Sequence, residues 1–161
     1  MPIGKSLKSR VIDDKDVKIL MLLQDDGRMQ LKAIAKKVSL SIDSVHKRIK
    51  EMIRKGVFQP GIFINPQVIG FPLIADIKIK LGNVTKGERD AFIEYLKDFK
   101  RCIELHAILG DHDFTCVLIA KDGNELEQLS TKIRQKFKEI IMDWKSFLIL
   151  KNYKFEEYDL T

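Results

Sequence analysis

Residues 30–55 read QLKAIAKKVSLSIDSVHKRIKEMIRK, and this stretch decides the fold of the N-terminal third. Apolar positions recur there at spacings of three and four, which predicts two short amphipathic helices. A tight polar turn joins them, and the second helix opens with Ser41-Ile42-Asp43-Ser44 before it becomes basic. Two helices connected in this way form a helix-turn-helix, whose second helix lies in the major groove of DNA.

The second helix divides into an apolar face and a basic face. Its apolar stripe, which would pack on its own domain, consists of Val45, Ile49 and Met52. The other side is basic and holds His46, Lys47, Lys50 and Arg54, with Arg48 at its edge. The predicted base-reading residues are Ser41, Asp43, Ser44 and Lys47. The predicted phosphate-binding residues are Arg48, Lys50 and Arg54.

Charge is concentrated in the same region. Residues 28–55 carry nine lysines or arginines and two acids, whereas residues 61–161 carry fifteen bases and sixteen acids. The formal net charge of +6 therefore belongs to the N-terminal third. A local basic surface favours polyanions through counterion release. The alternative is a solvated lysine-rich face without a partner, and the charge run alone does not separate the two.

Length and composition indicate a small globular protein of one or two domains. The chain has 161 residues, of which 45% are hydrophobic, and it contains no apolar run of membrane-spanning length and no signal segment. Cys102 and Cys116 lie in apolar runs without metal-ligand spacing, so they are interpreted as buried free thiols of a reducing, cytoplasmic setting. Residues 1–10 are expected to be a flexible N-terminal extension, either frayed or touching DNA.

Turn signals divide the chain into segments. A first helix is predicted from about residue 14 to 24, and the helix-turn-helix domain spans residues 11–58, with Gly56 capping its last helix. Residues 59–72, around the Pro60-Gly61 turn, are predicted to be a wing or linking strand that acts as a hinge.

Residues 73–161 predict a second, α+β domain. Ala75, Ile77, Ile79 and Leu81 alternate with polar residues, which is the pattern of a half-buried strand. The further predicted strands are residues 102–109, 114–120 and 147–150, the last with an optional extension to 153, and the helices are residues 86–99 and 124–137. The order βαββαβ is that of a ferredoxin-like sandwich.

Two helices cover only one face of a four-stranded sheet, so the other face is expected to pair with a twofold-related copy. The residues expected on that uncovered face are Cys116, Leu118, Phe147 and Ile149.

The order and spacing of several motifs resemble those of the Lrp/AsnC family of transcriptional regulators. In the first domain they are IDDKDVKIL at residues 12–20, LSIDSVHKRI at 40–49, KGV at 55–57 and INP at 64–66. In the second they are GDHDF at residues 110–114. The resemblance covers almost the whole chain after Arg10, although none of these motifs is specific alone.

The resemblance implies a transcriptional regulator that dimerises through the sheet domain, often assembles into octamers and binds an imperfect palindrome in double-stranded DNA. It also implies a small effector, typically an amino acid, between dimers. The implied effector residues are Gly110, Asp111, His112 and Asp113. Glycine lets a ligand approach backbone amides, and a carboxylate can bind an ammonium group, for which Asp113 is the implied partner. No cofactor and no catalytic residue are expected.

Three alternatives remain open from the sequence. Asp111, His112 and Asp113, with His106, could bind a divalent metal ion, or the aspartates could simply satisfy turn amides. Siroheme decarboxylases resemble the same two-domain plan, but the second half of this chain lacks the dense stretch of arginines and histidines that a substrate pocket of that kind would need, and its candidates are Lys100-Arg101 and His106. An architectural DNA-coating protein without an effector would use the same features.

Overall fold

The computed structural model describes residues 11–160, which form five helices and four strands. The helices are α1 (Asp14–Asp25), α2 (Leu31–Val38), α3 (Ile42–Arg54), α4 (Lys86–Lys97) and α5 (Gly123–Lys136). The strands are β1 (Leu73–Leu81), β2 (Cys102–Ala107), β3 (Phe114–Ala120) and β4 (Ile141–Leu148). The expected N-terminal extension, residues 1–10, lies outside the described residues.

The first three helices pack around one small core. Its buried side chains are Ile19, Ile34, Ala35, Val38, Val45 and Met52. The side chain of Asp13 begins α1 by accepting hydrogen bonds from the backbone of Lys15 and Asp16, and the carboxylate of Asp16 accepts in return from the backbone of Asp13. This reciprocal capping box satisfies backbone donors that have no partner inside the helix. The three helices and their shared core confirm the predicted helix-turn-helix.

The segment after α3 differs from the prediction. Gly56 adopts a φ of +69°, and the amide of Val57 donates to the carbonyl of Met52, which ends the helix as expected. Among the described residues, however, 57–72 form no strand, and residues 66–70 form turns. A strand needs a hydrogen-bonded neighbour, and this segment pairs with no other strand of the described chain. The linking strand, or wing, is therefore not formed within residues 11–160.

The second half forms one antiparallel sheet with the strand order β2-β3-β1-β4. Alternate residues of β1, namely Ala75, Ile77 and Ile79, are completely buried, as the sequence pattern predicts. They pack with Phe92 of α4 and Ile133 of α5, so both helices cover the same face. The α+β class and the βαββαβ order are confirmed.

Two residues predicted on the uncovered face lie on the other one. Cys116 and Leu118 are completely buried in the cluster that contains the helices. The prediction failed because β3 is apolar on both faces, so its sequence carries no alternation from which to assign them. Phe147 pairs with Asp76, which is also paired with Val117, and these residues lie on the uncovered face.

The last strand begins six residues earlier than predicted. β4 runs from Ile141 to Leu148 and pairs with β1 along Ala75 to Leu81. In the sequence, the apolar run that indicates a strand begins only after Ser146, because Asp143 and Lys145 interrupt the part before it. Pairing with a buried neighbour outweighs the low strand preference of these charged residues.

The chain forms two compact units whose boundaries differ from the predicted domains. Of the described residues, one unit contains 11–63 together with 154–160, and the other contains 64–153. The C-terminal residues, predicted to belong to the sheet domain, therefore pack with the three N-terminal helices.

Candidate nucleic-acid interface and effector hairpin

The start of α3 is fixed by two serines. Ser41 precedes the helix, and its Oγ accepts from the amide of Ser44 at 3.1 Å and donates to the Oγ of Ser44 at 2.8 Å. An N-cap of this kind stabilises a helix start by about 1 kcal/mol. Asp43 lies exposed in the first turn, where a negative charge is favourable for the helix dipole. The predicted base-reading serines thus also build the helix end.

An exposed stripe runs down the outer side of α3. It contains Asp43, Lys47, Lys50 and Arg54, whose spacings of four, three and four place them on one face. The side chains of Lys47 and Lys50 make no hydrogen bond or ion pair with any other residue in the range 11–160. Both ammonium groups are therefore available to an external anion.

Arg48 has a different environment. Its Nη1 lies 2.7 Å from Oδ2 of Asp13 and 2.8 Å from Oδ1 of Asp16. The bond to Asp16, and after it the bond to Asp13, raises the pKa of the Arg48 guanidinium. The pKa of Asp13 is lowered in turn, first by the hydrogen bond from the backbone amide of Asp16 and then by the bond from Arg48. Arg48 thus connects α3 to the N-terminus of α1. This nitrogen is engaged inside the chain, and the predicted phosphate contact of Arg48 stays a prediction.

Arg54 is also paired. Its Nε and Nη2 bind the two carboxylate oxygens of Glu51 at 2.8 and 2.6 Å. The guanidinium, followed by Lys55 at 3.3 Å, lowers the pKa of Glu51 to about 2. The pair is exposed to solvent, and exposed ion pairs are weak, so a phosphate could replace Glu51 as the partner of Arg54 at little cost in free energy.

Near the start of α3, Ile42 and His46 are exposed but were not among the predicted DNA-binding residues. Ile42 is the first residue of the helix and keeps 46% of its surface exposed. An apolar side chain at this position suits a thymine methyl group. His46 is exposed on the same side as Lys47. Apolar residues are usually assigned to the core from sequence, which hides a candidate such as Ile42.

The predicted effector residues lie together in the connection between β2 and β3. Gly110 adopts a φ of +153°, and nothing lies within 4 Å of the place where a Cβ would stand. Asp111 beside it is exposed. The next two residues have partners inside the chain.

Asp113 holds the hairpin against β1. Its Oδ2 accepts from the amide of Leu81 at 2.8 Å, and its own amide donates to the carbonyl of Ile79 at 2.9 Å. Its carbonyl also accepts from the amide of Ile108, which closes the turn. One carboxylate oxygen of Asp113 is therefore committed to backbone, as the turn alternative expected, and the predicted ammonium contact stays a prediction.

His112 is half-buried and faces the edge strand. Its Nε2 lies 3.1 Å from Oδ2 of Asp143 in β4, and Lys145 lies 3.3 Å from the same oxygen. Partial desolvation would raise the pKa of Asp143, but His112 and Lys145 outweigh it and hold this pKa below its ordinary value. The hairpin thus has contacts with both β1 and β4.

The metal alternative finds little geometric support. His106 lies 3.5 Å from Glu104, whereas His112 pairs with Asp143. Within residues 11–160 no three His, Cys, Asp or Glu side chains come together as a metal-binding group. Over the same range, none of the helices has the length and apolar character needed to cross a membrane.

Two family profiles match the chain along most of its length. Residues 12–53 match the AsnC-type helix-turn-helix domain, and residues 74–158 match the Lrp/AsnC ligand binding domain. The chain belongs to the Lrp/AsnC family. A transcriptional regulator named LrpA from Pyrococcus horikoshii is 35% identical over 126 residues, which cover 76% of this chain and 86% of that protein. The regulator FL11 from Pyrococcus furiosus is 31% identical over a stretch that covers 72% of this chain and 76% of that protein.

Solved structures support the fold. An AsnC family transcriptional regulator from Agrobacterium tumefaciens superposes with a TM-score of 0.83 at 24% identity, covering 92% of this chain and 97% of that one. A transcriptional regulator from Neisseria meningitidis, solved as a complex with L-Met, superposes with a TM-score of 0.81 at 23% identity. The match covers 89% of this chain and 93% of that one. This Lrp/AsnC protein is accordingly a transcriptional regulator with a DNA-binding and a ligand-binding domain.

Proposed function

We propose that this regulator reads double-stranded DNA through the outer stripe of α3. The observation that carries the proposal is the contrast among its cations: Lys47 and Lys50 are exposed and have no side-chain partner within residues 11–160, whereas Arg48 is held by Asp13 and Asp16. Lys47 and Lys50 bind phosphates or base edges, and Arg48 positions the helix. Ser41, Asp43 and Ser44 lie at the helix start, which is the end that meets base edges in this class of motif.

Selection of bound sequences from a random duplex library tests this assignment. The proposal expects an enriched, imperfect palindrome, and a substitution such as Asp43→Ala changes the preference at one base pair of each half-site. Lys50→Ala weakens binding to every enriched sequence alike. A library without any enriched motif would contradict sequence-specific reading.

The sheet face that carries Phe147 and Val117 is proposed to pair with a second copy, so that two α3 helices meet adjacent half-sites. Phe147 keeps 54% of its surface exposed, whereas Val117 is only 8% exposed, and α4 and α5 pack on the opposite face of the sheet. Sedimentation at micromolar concentration should give a dimer or larger species for the native chain. Phe147→Glu should shift it towards the monomer, whereas Tyr153→Glu, an aromatic-to-acid change at a residue that is 86% exposed, should not. A native monomer would contradict the proposal.

The effector is proposed to be an amino acid or a similar small zwitterion bound beside Gly110, Asp111, His112 and Asp113, at a contact between dimers. Support comes from the open space at Gly110, the exposed carboxylate of Asp111 and the remaining oxygen of Asp113. The L-Met complex of the Neisseria meningitidis regulator gives a precedent for an amino-acid ligand on this fold. Calorimetric titration with each of the twenty amino acids tests the proposal, and no heat from any of them would contradict it.

A further inference from the structure

The last residues of the chain return to the N-terminal helices. The side-chain amide of Gln24, at the end of α1, donates from Nε2 to the carbonyl of Tyr158 at 2.9 Å. Its Oε1 accepts from the amide of Tyr158, also at 2.9 Å. One side chain therefore satisfies both backbone groups of a single residue, as a neighbouring strand would do. Two such bonds fix the position of a segment that has no helix or strand of its own.

Two further contacts lie along the same segment. The ring of Phe155 packs on the ring of Phe63, with their centroids 5.0 Å apart. Tyr158 and Leu160 line an apolar cleft of about 580 Å³ together with Leu20 of α1 and Ile53 of α3. The segment therefore contributes to the same apolar surface as the helices and is grouped with them in one compact unit.

We propose that residues 154–160 form a C-terminal strap that docks in cis on the cleft between α1 and α3 and completes the DNA-binding unit, with Gln24 as its clamp. The occupant of this cleft is thus the chain's own C-terminus. The strap packs on the face of α3 opposite to the outer stripe. Ile49 and Ile53 line the cleft, whereas Lys47 and Lys50 lie on the exposed outer side.

The strap has a consequence for regulation, which rests on the proposed function of α3. Residues 64–153 are joined to the DNA-binding unit at both of their ends, through residue 63 and through residue 154. A ligand that shifts the ends of the sheet unit would therefore act on the DNA-binding unit through two chain connections. Removal of the strap leaves one connection and an uncovered cleft behind the recognition helix.

Hydrogen exchange on the full chain without DNA tests the docking itself. In the native protein the amide of Tyr158 should exchange slowly, and Gln24→Ala should raise its exchange rate by about tenfold, because both hydrogen bonds to Tyr158 are removed. Gln30→Ala is the matched control: this glutamine precedes α2 and its side chain makes no capping hydrogen bond. A native Tyr158 amide that exchanges as fast as an unstructured peptide, or a Gln24→Ala variant identical to the native chain, would overturn the proposal.

A cross-linking experiment separates docking in cis from docking on a second copy. The variant with Phe63→Cys and Phe155→Cys, whose native rings have centroids 5.0 Å apart, keeps the Gln24 clamp and is treated with a short bis-maleimide, after which digestion identifies which cysteines are joined. The proposal expects the link between residues 63 and 155 on one chain, at monomer mass in a denaturing gel. A link between two chains would overturn docking in cis. Neither experiment involves DNA, so failure of the strap and failure of DNA reading by α3 are distinguishable.

Discussion

The outer stripe of α3 and the hairpin at residues 108–113 are both polar surfaces, but they differ in how their charges are used. On α3, Lys47 and Lys50 point away from the described chain without a partner. In the hairpin, Asp113 binds the backbone of Leu81, and His112 lies against Asp143. The first surface presents its charge to a partner, whereas the second uses much of its charge to hold its own fold.

This difference determines which substitutions give a clean answer. A lysine without internal contacts can be truncated without a cost in folding, so the variant reports on the partner. A carboxylate that satisfies a buried amide affects folding and binding together. The same contrast exists inside α3 itself, between Lys47 and Arg48.

The largest effect is expected for Lys47→Ala combined with Lys50→Ala. If each lysine neutralises one phosphate in both halves of a twofold complex, the variant leaves four phosphates without a cation, and affinity should fall by on the order of a hundredfold at physiological salt. The melting temperature should not change, since neither lysine side chain has a partner among the residues that the structure describes. The matched control is Lys86→Ala with Lys100→Ala, two exposed lysines of the sheet unit, which should bind DNA as the native chain does.

The second effect concerns the hairpin and separates stability from ligand binding. Asp113→Ala leaves the amide of Leu81, a residue only 7% exposed, without its acceptor and should cost about 1–3 kcal/mol in urea unfolding. Asp113→Asn keeps an acceptor oxygen and should cost clearly less.

Calorimetry on the folded Asp113→Asn variant then tests the charge alone. Loss of amino-acid binding in this variant would assign the ammonium contact to the carboxylate. Full retention of binding would contradict that role and leave Asp113 as a residue that only holds the turn.

The third effect distinguishes the two arginines of α3. Arg48→Ala leaves Asp16, which is 13% exposed, without its cation and should lower the free energy of unfolding by about 1 kcal/mol after allowance for solvent screening. Arg54→Ala removes only an exposed pair and should leave the urea midpoint unchanged. Equal midpoints for both variants would show that Arg48 does not hold α3 on α1.

The sequence predicted elements whose pattern is local. The spacing of Val45, Ile49 and Met52 identified α3, and the alternation from Ala75 to Leu81 identified β1. The sequence-based prediction was wrong where contacts between distant elements decide which face a residue occupies. β3 is apolar on both faces, so its face assignment requires knowledge of the helices above it.

The candidate site shows the same limit. Sequence placed seven DNA-binding candidates on or beside one helix, because helical spacing fixes which residues share a face. It did not foresee the partners of Arg48, Asp113 or Tyr158, since each is brought by an element distant in sequence. Such pairings follow from tertiary packing and leave no periodic pattern in the chain.

The smallest effect is a pH dependence at the start of α1. The pKa of Asp13 lies below its ordinary value of 3.8, so its contribution to stability is present above that value and disappears as the pH falls through the lower, folded pKa. Asp13→Asn keeps a good N-cap but removes the titrating group. The free energy of unfolding of the native chain should exceed that of this variant by a few tenths of a kcal/mol at neutral pH, and the difference should vanish in acid. A difference that persists unchanged at about pH 2 would contradict the assignment.

The slope of DNA affinity against salt concentration is the sharpest test of DNA binding by α3, because it counts neutralised phosphates independently of the target sequence. Log–log plots are compared for the native chain, the Lys47→Ala, Lys50→Ala variant and the Lys86→Ala, Lys100→Ala control. The account predicts that the α3 variant is less steep by about 0.9 for each phosphate that it no longer neutralises, and that the control equals the native chain. Parallel lines for the native chain and the α3 variant would contradict DNA binding through the outer stripe of α3.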